Sequence, residues 1–341
     1  MNKFCLLSIF LCLATHRAHG QPGAVQLRID IEKGVNYYQD VTDYSRFATD
    51  PGPQAVAASR NFSSGVSVID IVAVNGEPAR GTAFGQQVTL IAKPNPAPSQ
   101  AIADVSAGGI VEWIFEIQSS TERSLDEMGR PISIGTIFFQ GLAAGAPPPG
   151  LGVVVGGGNF SVVGGTGAFA GARGHAAFTP PPAPAAPRSA SFTEDPANRR
   201  ALGGGAFRLL VNLIPLSRPE VVMRSNGPAV VRHSDNSLIT AATPAQADEL
   251  LTLYATGLGP TKPALSPGEL FTTSPLSVLS SPLRVMVNSV PAEVLYAGGY
   301  PGTEDTYQVN FRMPSGITSG SATLQLITAW IPGKEVSIAV R

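Results

Sequence analysis

The sequence predicts an all-β protein of two domains, an eight-stranded antiparallel barrel followed by a β-sandwich. Three observations carry this expectation. Apolar and β-branched residues alternate with period two in short runs, and glycine, proline and asparagine punctuate them. Helical signals are confined to 44–49 and 244–251, the second with Thr243 as N-cap. Composition agrees: 37 Gly and 30 Pro in 341 residues supply turns, while 43% hydrophobic content with only 14% charge supplies apolar strand faces. A disordered chain would be poorer in apolar residues and richer in net charge. Collagen would show a Gly-X-Y period and a coiled coil would show heptads. A formal net charge of −1 gives no electrostatic ground for a nucleic-acid partner.

Residues 1–20 read as a secretory signal peptide. Lys3 supplies the positive start, 4–14 form the apolar run, and Ala18-His19-Gly20 is a small-x-small cleavage pattern. The run is too short for a bilayer span, which takes about 20 apolar residues. The expected location is secreted or extracytoplasmic, in the periplasm or at the cell surface, with no membrane span after cleavage. Cleavage removes Cys5 and Cys12, and with them thiol, disulfide and Cys-based zinc chemistry. Of the histidines only His175 and His233 remain, far apart in sequence. No metal and no cofactor are expected.

The barrel domain, 21–218, opens with the clean alternation of 25–31. Strand 66–74 follows, and Asn75-Gly76-Glu77-Pro78 turns into 81–91. Strands 110–117 and 132–141 flank a polar turn at 126–129. Then come 153–163, 174–178, a stiff polyproline-like loop at 180–187, and 206–214. Leu216-Ser217-Arg218-Pro219 reads as a linker to the second domain, 219–341. Its strand candidates are 228–232, 250–256, 283–287, 293–296, 306–312, 322–328 and 336–340. Seven short strands are the count of an immunoglobulin-like sandwich, here without an inter-sheet disulfide.

Two segments carry a resemblance. Asn159-Phe160-Ser161-Val162-Val163-Gly164-Gly165-Thr166-Gly167-Ala168-Phe169-Ala170-Gly171-Ala172-Arg173-Gly174 resembles the strand–turn–strand signature of dirigent proteins and allene oxide cyclases. The resemblance implies an eight-stranded antiparallel barrel, as in bacterial relatives of that superfamily. In the turn, Gly164, Gly165 and Gly167 permit positive φ. Phe169 is placed to cap the barrel end, Gly174 closes the motif, and Arg173 is placed to reach a carboxylate or carbonyl. The second segment is Leu251-Thr252-Leu253-Tyr254-Ala255-Thr256-Gly257-Leu258-Gly259-Pro260-Thr261, with 291–298 and 307–310. It resembles an uncharacterised immunoglobulin-like C-terminal domain family of secreted soil-bacterial proteins. That resemblance implies a fold and no chemistry. Dirigent relatives are often oligomers through the outer barrel face, so an oligomer is expected by analogy.

Dirigent proteins orient phenoxy radicals in the barrel lumen, and allene oxide cyclases fold a reactive epoxide there. Polar residues on apolar strands are therefore the site candidates. Asp70 lies in phase with Val68 and Val72; it is either a lumen acid of raised pKa, an outward carboxylate, or a structural partner of Arg173 or Arg80. Glu112 and Glu116 share one strand face, with Trp113 and Phe115 on the other. They are either an acid/base pair or two solvated charges. Tyr37, Tyr38, Asp40, Asp43 and Tyr44 form a polar-aromatic cluster, a ligand rim or a plugging loop. Glu194-Asp195 is a weak cation contact or a solvated pair. Gly156-Gly157-Gly158 and Gly203-Gly204-Gly205 lack the Lys-Ser/Thr of a phosphate loop.

The leading functional expectation is a non-catalytic extracellular protein that binds a small apolar ligand or glycan through the barrel lumen or rim, with Asp70, Glu112, Glu116 and Arg173 as the candidate ligand-binding residues. The alternatives are a cofactor-free isomerase, cyclase or dirigent-type guide in the lumen, and a structural or adhesive surface module. An open lumen with a desolvated carboxylate would mark the enzyme; a lumen packed with Val, Ile and Phe would exclude it.

Overall fold

The computed structural model describes residues 23–39, 62–90, 108–118, 125, 128–129, 132–142, 158–179, 188–195, 197–202, 204–266 and 268–341. The signal peptide, the helix expected at 44–49, Asp40, Asp43 and Tyr44, the proline tract 180–187, and Gly156, Gly157 and Gly203 lie outside the described residues.

The first domain is a closed eight-stranded antiparallel barrel. Its strands are β1 (Val25–Gln39), β2 (Phe62–Val74), β3 (Glu77–Leu90), β4 (Gly108–Gln118), β5 (Ser133–Leu142), β6 (Asn159–Gly165), β7 (Arg173–Thr179) and β9 (Gly205–Ile214). The order runs β2-β3-β4-β5-β6-β7-β9-β1, and β1 pairs back onto β2 to close the ring. A ninth strand, β8 (Arg188–Ser191), lies parallel to β1, pairing Val35 with Arg188 and Tyr37 with Ala190. The β2–β3 hairpin turns at Asn75 (φ 54°) and Gly76 (φ 84°), the pair of positive φ angles that a two-residue hairpin loop needs.

Alternation decides what fills the barrel. Leu27, Ile29, Ile69, Ala83, Val111, Phe115, Ile137, Phe139, Phe160, Val211 and Leu213 belong to one buried apolar cluster. Aromatic rings occupy much of it. Phe115 meets Phe139 edge-on at 5.1 Å and Trp113 at 5.9 Å; Phe178 meets Phe160 at 5.5 Å and Trp113 at 5.7 Å. Such T-shaped pairs add about 0.5–1.5 kcal/mol each beyond area burial. Gly85 makes room for the largest ring, since a Cβ there would fall 2.5 Å from the Trp113 indole. The lumen is thus packed by Ile, Val, Leu and Phe.

Register breaks re-aim β1. Its pairing with β9 shifts between Ile31 and Gly34. Beyond the shift Val35 and Tyr37 leave the lumen cluster and pack with Val68 and with Ala190 of the neighbouring β8.

In the glycine-rich turn, only Gly167 of the three turn glycines has positive φ (58°), at the start of a 3-10 turn over Gly167–Phe169. Gly165 is needed for a different reason. A Cβ there would collide with the Phe169 and Thr136 carbonyl oxygens. Gly164 has space around it. Gly174 (φ 137°) also sits where a side chain would strain the backbone and meet the Asn212 carbonyl. Phe169 is 1% exposed and belongs to the barrel's apolar cluster. We expect Gly165→Ala to cost more than about 1 kcal/mol, measured as a shift of the urea midpoint at unchanged m.

The second domain is one continuous 11-stranded sheet that curls over itself to form the two sheets of a sandwich. Leu250–Thr256 pairs with Val230–Arg232 and Tyr307–Arg312. Leu283–Val287 pairs with Gly320–Thr328, which pairs with Val336–Val340. Val290–Gly299 belongs to both sheets: it changes partner between Ala292 and Glu293, just before a bulge between Val294 and Tyr296. Leu251, Leu253, Val285, Val309, Phe311 and Leu324 pack between the sheets. The helix expected over 244–251 does not form. Leu250 and Leu251 are used by the sheet against Arg312 and Phe311, and the Ala245 amide donates to the Ala339 carbonyl. Strand pairing overrides a weak local helical preference.

The domains share a core. Ala329, Trp330 and Ile331, from the tip of a sandwich hairpin, belong to the same apolar cluster as the barrel interior. Trp330 Nε1 donates to Glu77 Oε2 at 2.9 Å, and Arg284 also pairs with Glu77. Arg218 donates to the carbonyls of Gly23 in the barrel and Pro332 in the sandwich.

Candidate functional site

The candidate carboxylates lie outside the lumen. Asp70 pairs in register with Thr82 and alternates with the lumen residues Ile69 and Ile71, so it faces outward. The reading of Asp70 as a lumen acid is therefore corrected, and so are its partners. Neither Arg173 nor Arg80 reaches it. Arg199 Nη2 donates to Asp70 Oδ1 at 2.6 Å and Arg200 Nε to Oδ2 at 3.1 Å. Both arginines belong to a short helix, Asn198–Ala201, absent from the sequence-based expectation. Burial pushes the Asp70 carboxyl up, but hydrogen bonds from Arg200 and Arg199 outweigh it and hold the group below the usual carboxylate range. An acid held ionised by two guanidinium groups is a clamp rather than a proton donor.

The clamp secures a strap running from β8 through the helix. Arg188 forms a bidentate pair with Glu194, at 2.7 and 2.5 Å. Glu194 is thus a strap residue, and the Asp195 side chain accepts from the Ala197 amide. Tyr37 is buried beneath this strap with its hydroxyl unpaired, and burial, followed by the Glu194 charge, raises its pKa. Arg173 is exposed and donates to the Ala172 carbonyl at 2.9 Å, one of the two roles anticipated for it. His175 lies against Asn212 at 3.3 Å, and burial lowers its pKa.

Glu112 and Glu116 face outward as expected, with Trp113 and Phe115 on the lumen side. They do not act as a pair. Glu116 lies in register with Thr82 and Thr136, whereas Glu112 lies in register with Gln86 and Gln140. Gln140 Nε2 donates to Glu112 Oε1 at 3.0 Å.

Glu112 lines a groove of about 490 Å³ on the outer face of the barrel. Phe84, Ile114, Phe138 and Val163 supply apolar walls, and Gln86, Glu112 and Gln140 supply polar groups. Register explains the layout. Phe84, Ile114 and Phe138 form one cross-strand row over β3, β4 and β5; Gln86, Glu112 and Gln140 form the next. An apolar rail therefore runs beside a polar one, across the strands. Phe84 is 45% exposed and Ile114 is 42% exposed. The signal was present in the sequence: Trp113-Ile114-Phe115 and Ile137-Phe138-Phe139 are apolar on consecutive residues, so these strands are apolar on both faces. Asp70 and Arg173 do not line this groove.

Among the described residues no group of three or more His, Cys, Asp or Glu is arranged to hold a metal ion. No helix among them is long and apolar enough to cross a membrane.

No protein-family model and no curated protein matches the chain. Among solved structures it is similar to a polysaccharide lyase, at a TM-score of 0.17 and 7% identity, over 92% of this chain and 39% of that one. The chain thus spans well under half the length of that protein. Similarity at this level transfers neither a fold nor an activity.

Proposed function

We propose that this is an extracellular binding protein whose barrel holds a small, largely apolar ligand on its outer face. The observation that supports this reading is the groove over β3–β6. Its volume, its aromatic and aliphatic walls and its few convergent polar groups are those of a small-molecule site. The rails suggest an amphipathic ligand, with a ring or chain against Phe84, Ile114 and Phe138 and a hydroxyl or amide edge toward Gln86, Glu112 and Gln140. A glycan presenting the C–H face of a sugar ring meets the same description. Lumen catalysis is disfavoured, because the lumen is filled with rings and the candidate carboxylates lie outside it.

Kinship with dirigent and allene-oxide-cyclase-like barrels is part of this proposal. It is supported by the eight-strand antiparallel closure and by the Gly167–Phe169 turn. An immunoglobulin-like assignment of the second domain is supported by its strand shared between two sheets. Export through the 1–20 signal is proposed with it.

One observation favours a second reading, self-association through this face. Val88, Ile110 and Leu142 are 50%, 63% and 44% exposed in a further apolar row beyond the polar rail. Such a patch also suits a protein interface.

Both readings are tested together. Thermal-shift and calorimetric screens of phenols, fatty-acid derivatives and oligosaccharides should find binders. Phe84→Ser should weaken them at least about tenfold, while changing stability by under about 0.5 kcal/mol, as befits an exposed site. Sedimentation of the same variant reads self-association. Binders unaffected by Phe84→Ser, or no binders at all with a monomer throughout, would remove the proposal.

A further inference from the structure

We propose that the Trp330 hairpin tip is a wedge that makes barrel and sandwich one cooperative unit, the sandwich serving as the floor of the barrel.

The first support is backbone conformation. Ala329 (φ 46°) and Trp330 (φ 61°) occupy consecutive left-handed positions between Gly320–Thr328 and Ile331–Pro332. A two-residue hairpin turn of this kind favours Asn-Gly or Asp-Gly, because other side chains are strained at φ > 0. Two other turns follow that rule more closely: Asn75-Gly76 in the barrel and Asn288-Ser289 in the sandwich. An alanine followed by the bulkiest side chain is the poorest choice for the turn itself. Strain of this sort persists only where the surroundings over-determine it.

The surroundings are the barrel. Ala329, Trp330 and Ile331 are 0%, 6% and 2% exposed, although they form the tip of a hairpin. They share one apolar cluster with Val74, Ala79, Ile117, Ile134 and Phe169 of the barrel. The indole N–H is satisfied by Glu77, the first residue of β3, and Glu77 is held in turn by Arg284 of the sandwich. The tip is also fixed from behind. The Ala329 amide donates to the Pro282 carbonyl at 3.0 Å, and Thr328 Oγ1 donates to the Leu258 carbonyl at 2.9 Å. A rigidly backed indole enters an apolar seat with its single donor paired at the rim. The geometry suits docking, not the turn.

The contact therefore couples the domains. The test separates turn strain from docking, using the full chain throughout. The double substitution Ala329→Asn with Trp330→Gly installs the preferred turn and removes the wedge. If Trp330 served the hairpin alone, this variant would be more stable and would still unfold as the wild type does. The wedge requires the opposite: the wild type should unfold in one calorimetric transition, and in the double variant it should split into two, with the barrel transition lowered by about 5–10 °C. Glu77→Gln keeps a partner for the indole N–H while removing the charge that Arg284 meets, and should leave one transition. Two independent transitions in the wild type, or one unshifted transition in the double variant, would overturn the proposal.

Discussion

Phe115→Ala is expected to destabilise the protein by about 3–5 kcal/mol and to create a cavity inside the barrel. Phe115 is fully buried and meets both Trp113 and Phe139 edge-on. Its removal forfeits apolar transfer, two aromatic pairs and the packing of rings that cannot collapse into the gap. Tight β-barrel geometry limits relaxation, which places the cost near the upper part of that range. A dry, apolar cavity of this kind takes up small hydrocarbons. Benzene should therefore raise the melting temperature of the variant by more than it raises that of the wild type. An equal rise in the two proteins would show that the substitution opens no cavity.

Asp70→Ala is expected to cost about 2–3 kcal/mol and to loosen the strap. The loss exceeds that of a surface pair because Arg199, whose side chain is 10% exposed, keeps a buried charge without its carboxylate. Arg200, 67% exposed, contributes little. Limited proteolysis should cut between β8 and β9 faster in the variant. The pH dependence follows from the lowered pKa of Asp70. The folded value lies below the unfolded one, near about 3.9. The stabilisation is therefore present in full above that unfolded value and is lost as pH falls through the lower folded one. Between pH 5 and 7 the strap should hold equally well. In urea titrations, the stability lost between pH 7 and pH 3 should be smaller in Asp70→Asn than in the wild type. An equal loss in the two proteins would mean that the clamp contributes nothing.

Much of the architecture was legible because alternation and turn chemistry agree locally. The sandwich strands expected at 250–256, 283–287 and 336–340 have the observed bounds. Asn75-Gly76 marks the first hairpin, whose turn takes positive φ at both residues. What escaped depends on distant partners. β8 is four residues long and is held by parallel pairing to β1. The partners of Asp70 are 129 and 130 residues away, in a helix too short to leave a periodic signal. Alternation alone could place Asp70 in phase with Val68, yet not decide which face was the lumen. Val68 itself lies outside, beneath the strap. The groove is a similar case. Consecutive apolar residues in β4 and β5 announced two apolar faces, but only the register aligns Phe84, Ile114 and Phe138 into one row.

The most direct test of where this protein binds is protein-observed NMR during titration with the phenols, fatty-acid derivatives and oligosaccharides named above. Binding on the outer face should perturb the Ile114 and Val163 methyl signals and the Gln86 and Gln140 side-chain amides, leaving the Leu27, Ile29 and Val211 methyls of the lumen unmoved. Perturbation centred on those lumen methyls and on Phe115, with the outer rails silent, would contradict this placement and return the site to the lumen.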